Sequence, residues 1–101
     1  MILAIDFDGV IHDKAHPISH RVMGPPIERA KEALEYLKMH GHVVIVFSVW
    51  VGAGTNTIKE WLKYYAIPFD DVTNIKPEAD YYIDDKAIKF INWNQVLEEI
   101  K

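Results

Sequence analysis

The chain has 101 residues, half of them hydrophobic, and no cysteine. This length fits one domain with its own core, and the lack of cysteine excludes disulfides and thiolate zinc sites, as suits a reducing cytosol. The net charge is −4 with scattered Lys and Arg, which argues against sequence-independent nucleic-acid binding without excluding a phosphorylated ligand. The apolar run 1–5 is too short for a signal-peptide core or a membrane span, so we expect no membrane association.

The first predicted elements are a strand, a loop and a helix. The continuous apolar run 1–5 predicts a buried strand, and the polar stretch 11–26, rich in His and Pro, predicts a loop. Pro25 and Pro26 then open a helix that Gly41 ends. The apolar face of this helix consists of Ile27, Ala30, Leu34 and Leu37.

The middle of the chain predicts a second strand and a second helix. The run 42–47 is apolar and rich in β-branched residues, as in a buried strand, and 52–54 predicts a turn. Thr57 and Glu60 have the spacing of a capping box at a helix N-terminus. The apolar face of this helix consists of Ile58, Trp61, Leu62 and Tyr65.

Two short strands and a third helix complete the predicted elements. The strands are expected at 71–73 and 79–83, and the helix follows Asn92 as its cap. Its apolar face, which we expect to join the core, consists of Trp93, Val96, Leu97 and Ile100. Because apolar strands alternate with helices, the sequence predicts a single α/β domain over 1–101, a three-layer Rossmann-like parallel sheet with helices on both faces.

Polar residues follow the ends of the predicted strands. Asp6 and Asp8 come after the first strand and Ser48 after the second, while Asp84 and Asp85 come after a later one. In a parallel sheet, ligands bind beyond the carboxyl ends of the strands, so we expect these side chains to converge there. A lysine at position 76 lies in the loop just before that later strand.

Each of these features has a simpler interpretation when taken alone. The first Asp pair can be a strand ending in an Asp-Gly turn, Asp84 and Asp85 a helix cap or a solvated loop, Ser48 a turn residue, and Lys76 an ordinary surface lysine. Together, however, they supply a nucleophile, an acid/base, donors to phosphate oxygens and a metal site. Carboxylate ligands without His or Cys favour Mg²⁺.

The motifs resemble those of the haloacid dehalogenase-like (HAD) phosphatase superfamily. DFDGV at 6–10 resembles its first motif, FS at 47–48 its second, Lys76 its third and DYYIDD at 80–85 its fourth. The resemblance covers nearly the whole chain. The sequence is similar to a compact branch of this superfamily that is found in bacteria and their phages. It implies a HAD-like fold with little or no cap domain, and a magnesium-dependent phosphatase that hydrolyses phosphomonoesters.

The resemblance also implies a role for each residue. Asp6 attacks phosphorus and becomes an aspartyl-phosphate. Asp8 protonates the leaving oxygen, then accepts a proton from water, and its backbone carbonyl touches the metal. Ser48 and Lys76 hold the phosphoryl oxygens, and the lysine also restrains Asp6.

The same resemblance implies the metal site and reveals two departures from the family pattern. Asp84 ligates magnesium, and Asp85 assists it or holds a metal-bound water. Val10 stands where the family usually has Thr, and Trp50 stands where a basic residue is often found. These departures remove a hydroxyl and an expected phosphate or substrate contact.

Two other functions share part of this pattern. A phospho-receiver domain also combines Asp pairs, Ser or Thr and Lys on a parallel sheet, but there the phosphorylated Asp ends the middle strand. Here Ser48 ends it, and a second acidic pair follows the lysine. A catalytically silent HAD-like protein that binds metal or acts as a scaffold is the alternative that remains open. The substrate is a phosphorylated small molecule or macromolecule, and without a cap the site is open unless a second subunit covers it in a homo-oligomer.

The histidines of the first loop were considered as a metal site. His12, His16 and His20 recur every four residues, but Pro17 interrupts the helix that would align them. We therefore interpret them as polar loop histidines rather than zinc ligands.

Two further features lie after the second strand. The segment 52–55 resembles a phosphate-binding loop but lacks its Lys-Ser/Thr ending, so a simple turn is the preferred interpretation. Trp50 follows Ser48 at the mouth of the predicted site, and a substrate contact by Trp50 is a hypothesis.

Overall fold

The computed structural model describes residues 1–13, 24–49 and 54–100. Within them, strands and helices alternate in the order β1 (Ile2–Asp6), α1 (Ala30–Met39), β2 (Val43–Phe47), α2 (Gly54–Tyr64), β3 (Asp71–Thr73), β4 (Tyr81–Ile83) and α3 (Trp93–Ile100). The four strands form one parallel sheet in the order β3-β2-β1-β4. The predicted α/β, Rossmann-like parallel sheet is therefore confirmed, with β1 between β2 and β4.

The core lies on one face of this sheet. Alternate residues of the central strands, such as Ile5 and Val46, are buried in one cluster with Leu34 of α1 and Leu62 of α2. Because residues of both helices belong to the cluster, α1 and α2 pack against the same face. Right-handed crossovers between neighbouring parallel strands produce this arrangement.

The third helix differs from the expectation. Among the described residues α3 contacts no other helix or strand, and none of its side chains is buried. Trp93 is 69% exposed, so the prediction that it belongs to the core is wrong. The amphipathic pattern predicted the helix correctly, but it carries no information about what covers the apolar face.

The boundaries of α1 were predicted with one error. Gly41 ends the helix as expected, with φ +83° and its N–H donating to the carbonyl of Lys38. The helix begins at Ala30 rather than at the prolines. The N–H of Ile27 donates to the carbonyl of Ile11 instead, because this stretch pairs with the loop after β1.

Of the two caps predicted for the other helices, one is confirmed and one is wrong. Asn92 caps α3, since its Oδ1 accepts from the N–H of Gln95 at 2.9 Å. The capping box at Thr57 is wrong because α2 is already helical from Gly54 onward. Within the described residues, no helix has the length and apolarity needed to span a membrane.

Candidate active site

Three carboxylates meet at the carboxyl edge of the sheet. Asp6 is the last residue of β1, and Asp84 and Asp85 follow β4, whose Ile83 pairs with Ile5. One carboxylate oxygen from each Asp lies within 4.8 Å of the others. The grouping arises because both strands run parallel and end at the same level.

Asp84 is oriented by its own turn. Its Oδ1 accepts a hydrogen bond from the N–H of Lys86 at 2.7 Å, as in an Asx turn. This contact fixes one oxygen of the carboxylate beside Asp6 before any ligand binds. Asp85 is also exposed at this edge.

The grouping changes the acidity of Asp6. The pKa of Asp6 is raised to about 6, first by burial and then by the negative charges of Asp84, Asp85 and Asp8, while a hydrogen bond from the backbone N–H of Phe7 opposes the rise. Desolvation disfavours the charged carboxylate, and like charges nearby disfavour it again. A divalent cation among these oxygens would reverse both effects.

Asp8 is held by a buried histidine. His12 Nδ1 lies 2.8 Å from Asp8 Oδ1, and His12 Nε2 lies 2.9 Å from the backbone nitrogen of Gly24. A backbone N–H can only donate, so Nε2 is the acceptor and the ring proton is on Nδ1. The neutral imidazole therefore donates to Asp8.

The surroundings of His12 fix its ring. It stacks on Phe7 with centroids 5.1 Å apart and meets the edge of Trp61 at 5.6 Å. Trp61 Nε1 also donates to the carbonyl of Gly24 at 3.1 Å. The side chains of His12 and Trp61 are therefore both hydrogen-bonded to the backbone of Gly24. His12 lies in the loop after β1, as expected, but it is buried rather than solvent-exposed, since only 3% of it is exposed. Its spacing of four residues from Asp8 was the available signal.

Ser48 and Lys76 come from two different loops. Ser48 directly follows β2, and Lys76 lies between β3 and β4. Ser48 is buried directly after β2, with its backbone N–H donating to the carbonyl of Thr73 at 3.0 Å. Lys76 lines the same groove as Asp6 and Asp84, and its Nζ lies 4.7 Å from the ring centroid of Tyr82. This distance corresponds to a cation–π contact between the ammonium group and the ring of Tyr82.

The groove itself has a volume of about 720 Å³. Its walls combine carboxylates and lysines with apolar side chains, among them Phe47, Tyr82, Ala87 and Ile88. A space of this size admits a phosphate ester with a large organic part. Trp50, His16, His20 and residues 52–53 lie outside the described residues, and residues 54–55 belong to α2.

Comparison with known proteins bears on the fold. No family model matches the chain, and no curated protein matches it. A solved structure of a conserved protein coded by a locus of Bacteroides thetaiotaomicron is similar, with 27% identity and a TM-score of 0.70. The match covers 99% of this chain and 88% of that one, so it extends over the whole sheet and its helices. That protein is described only as conserved, so the similarity bears on the fold and not on an activity.

Proposed function

We propose that the chain is a magnesium-dependent phosphatase that hydrolyses phosphomonoesters through an aspartyl-phosphate on Asp6. The observation that carries the proposal is the grouping of Asp6, Asp84 and Asp85 at the carboxyl ends of the neighbouring strands β1 and β4. A fourth carboxylate, that of Asp8, lies two residues after Asp6 in the chain and is hydrogen-bonded to the buried His12. The order of these residues matches the HAD-like motifs, which supports the same assignment.

The donor set suits Mg²⁺. Asp6, Asp84 and Asp85 offer only oxygen atoms, and magnesium in proteins is bound through one or two carboxylates, waters and substrate phosphate oxygens. The backbone carbonyl of Asp8 is a further ligand in this proposal. When bound, the ion would offset the repulsion among the carboxylates and the negative charge of the phosphoryl group.

The first chemical step makes an acyl phosphate. An ionised oxygen of Asp6 attacks phosphorus, the bond from phosphorus to the ester oxygen breaks, and Asp8 gives its proton to that oxygen. The product alcohol then leaves, with Asp6 phosphorylated and Asp8 ionised.

The second step reverses the proton transfer. Water attacks the phosphorus and gives a proton to Asp8, while the bond between phosphorus and Asp6 breaks. Inorganic phosphate leaves, Asp6 is ionised and Asp8 is protonated again. Atoms and charges therefore return to their starting state after one hydrolysis.

His12 positions the acid/base. Its Nδ1–H donates to Oδ1 of Asp8, so the second oxygen of that carboxyl group carries the transferred proton. The ring is fixed by Phe7, Trp61 and Gly24, and this reduces the rotation of Asp8. Proximity of this kind lowers the entropy cost of the transfer.

Ser48 and Lys76 complete the proposal as donors to the phosphoryl oxygens. The ammonium group of Lys76 stands in the groove beside Asp6 and Asp84, where the transferred group would lie. Its positive charge stabilises the charge that builds on these oxygens in the transition state. The open groove favours a phosphorylated ligand with a bulky or polymeric remainder.

A direct test uses nitrophenyl phosphate and the purified chain. We expect turnover that requires Mg²⁺ and is lost in a chelator, with an unchanged rate in the Asp71→Asn control, whose exposed carboxylate lies outside the groove. A catalytically silent relative would bind magnesium in calorimetry but release no nitrophenolate. That result, or full activity in the chelator, contradicts the proposal.

A further inference from the structure

The lysine of the groove comes from an exposed part of a loop. Residues 74–80 join β3 to β4, and Lys76 is exposed among them. A lysine side chain is long and flexible, so without contacts its ammonium group would occupy many positions. A donor that stabilises charge in a transition state must instead lie in one position before the reaction. If Lys76 is to act on a phosphoryl group, other residues must hold it.

The main chain is fixed on both sides of Lys76. The N–H of Ile75 donates to Oγ1 of Thr73 at 3.1 Å, which ties the preceding residue to the end of β3. The hydroxyl of Tyr82 donates to the carbonyl of Pro77 at 2.6 Å, which ties the following residue to β4. The backbone at Lys76 is therefore anchored to both of the strands that its loop connects.

The side chain of Lys76 meets the same tyrosine. Its Nζ lies over the ring of Tyr82, 4.7 Å from the centroid, within the range of a cation–π contact. Tyr82 thus acts on this lysine in two ways. Its hydroxyl holds the main chain of the next residue, and its ring attracts the ammonium group.

The register of the sheet places Tyr82 on the face that carries Asp6. Tyr82 pairs with Ala4 between the parallel strands β4 and β1. Asp6 lies two residues after Ala4, and residues two apart on a strand share a face. Tyr82, Ala4, Asp6 and Lys76 accordingly line one groove. An ammonium group held over the ring of Tyr82 therefore lies on the side of the sheet where Asp6 would be phosphorylated.

We infer that Tyr82 is a positioning residue, which holds the ammonium group of Lys76 in the groove on the Asp6 face. The hydroxyl sets the path of the loop and the ring sets the direction of the side chain. The inference rests on the proposed function, in which Lys76 donates to the phosphoryl oxygens. Tyr82 acts through Lys76 and not on the substrate.

The first test measures the contact in the absence of substrate. Protons that lie over an aromatic ring resonate upfield, so the ε-CH₂ protons of Lys76 should be shifted upfield of those of the other lysines in a proton–carbon correlation spectrum. Lys76→Met identifies the signal. Tyr82→Phe keeps the ring and should keep most of the shift, whereas Tyr82→Leu should lose it. A wild type without the shift, or a shift that survives in Tyr82→Leu, overturns the inference.

The second test is a double-mutant cycle on kcat/KM for nitrophenyl phosphate, measured in single turnovers so that slow variants remain measurable. Tyr82→Leu should lower kcat/KM about 10-fold, because both contacts are lost, and Tyr82→Phe about threefold, because only the hydrogen bond is lost. In Lys76→Met neither change should have a further effect, because the group that Tyr82 positions is absent. An equal loss with and without Lys76 overturns the inference, since a general structural role would produce it.

A matched control makes the same change elsewhere. Tyr64→Leu alters a tyrosine of α2 that is 82% exposed and lies outside the groove lining, and it should leave both the Lys76 shift and kcat/KM unchanged. Circular dichroism checks the folding of each variant. If Tyr82→Leu does not fold, the smaller loss in Tyr82→Phe and its disappearance in Lys76→Met decide the same question.

Failure of this inference is distinguishable from failure of the proposed function. A wild type that hydrolyses no phosphate ester contradicts the phosphatase, and the spectrum alone then decides whether Tyr82 holds Lys76. A wild type that turns over nitrophenyl phosphate at a rate that Tyr82→Leu does not change contradicts the inference and leaves the phosphatase standing.

Discussion

Asp6 ends a largely buried strand and Asp8 follows it two residues later, whereas Asp84 and Asp85 follow a strand whose residues are all exposed. We call the first pair, with His12, the N-terminal wall of the site, and the second pair the C-terminal wall. The N-terminal wall is fixed by packing, through Phe7 and the stacked imidazole.

The C-terminal wall depends on different forces. Within the described residues its strand is covered by no helix, and a hydrogen bond from the N–H of Lys86 to Oδ1 of Asp84 orients that carboxylate. In our proposal the packed N-terminal wall supplies the nucleophile and the acid/base, and a bound cation would set the geometry of the exposed C-terminal wall. Buried, packed groups are held with less rotational freedom than exposed ones.

The largest effect is expected from the proposed metal ligands of the C-terminal wall. Asp84→Asn should weaken Mg²⁺ binding by about 100-fold, and Asp85→Asn by about 10-fold, because a direct ligand matters more than a group that holds a water. Isothermal titration with MgCl₂ measures both constants. Glu78→Gln, which removes one exposed charge outside the groove lining, is the control and should bind normally. Equal losses at the two aspartates would contradict their different roles.

The N-terminal wall is tested at His12. His12→Leu removes the donor to Asp8, whereas His12→Asn keeps an N–H near the position of Nδ1. Turnover of an alkyl phosphate, which needs Asp8 as acid, should fall about 10-fold more in the Leu variant than turnover of nitrophenyl phosphate.

The Asn variant serves as the matched control for His12. It also loses the acceptor for the N–H of Gly24, so both variants should be destabilised to a similar extent. The Asn variant should nevertheless restore the wild-type ratio of alkyl to aryl turnover. The same ratio in both variants would leave His12 with a structural role alone.

The smallest effect is expected far from the site, in the packed half. Asp70 accepts from Lys38 Nζ of α1 and from the N–H of Val44 at 2.6 Å, and these contacts lower the pKa of its carboxyl group below 3.8. Asp70→Asn should reduce the free energy of unfolding by about 1 kcal/mol at neutral pH, since the ion pair is partly exposed and screened.

The pH dependence of this effect has a defined sign. A lowered pKa means that the carboxylate stabilises the fold above pH 3.8 and loses this effect as the pH falls through its folded pKa. Denaturant unfolding should therefore show the difference between wild type and variant at neutral pH and not in strong acid. Asp71→Asn removes an ion pair whose charged atoms are 3.7 Å apart, so it should reduce the free energy of unfolding by less than Asp70→Asn does. A loss that stays constant with pH would contradict this origin.

The carboxylates could be placed from the sequence because a local rule is sufficient for them. The apolar run before Asp6 ends where the strand ends, and parallel strands bring their carboxyl ends together. The grouping with Asp84 follows from strand length and direction alone.

The position of His12 could not be predicted in the same way. Its burial depends on Phe7, Trp61 and Gly24, which come from three separate parts of the chain. No local pattern encodes such a contact. The exposure of α3 was not predicted for a related reason, since an amphipathic pattern identifies an apolar face and not its partner.

The central claim, that Asp6 is phosphorylated during turnover, is tested most directly in Asp8→Asn. This variant keeps an acceptor for His12, and nitrophenolate leaves without a proton, so the first step should proceed while attack by water slows. We predict a burst of about one nitrophenolate per active site and a phosphoryl group found on Asp6 by mass spectrometry of the quenched protein. Asp6→Asn should show neither. The absence of both burst and phosphorylated Asp6 in Asp8→Asn would contradict the account.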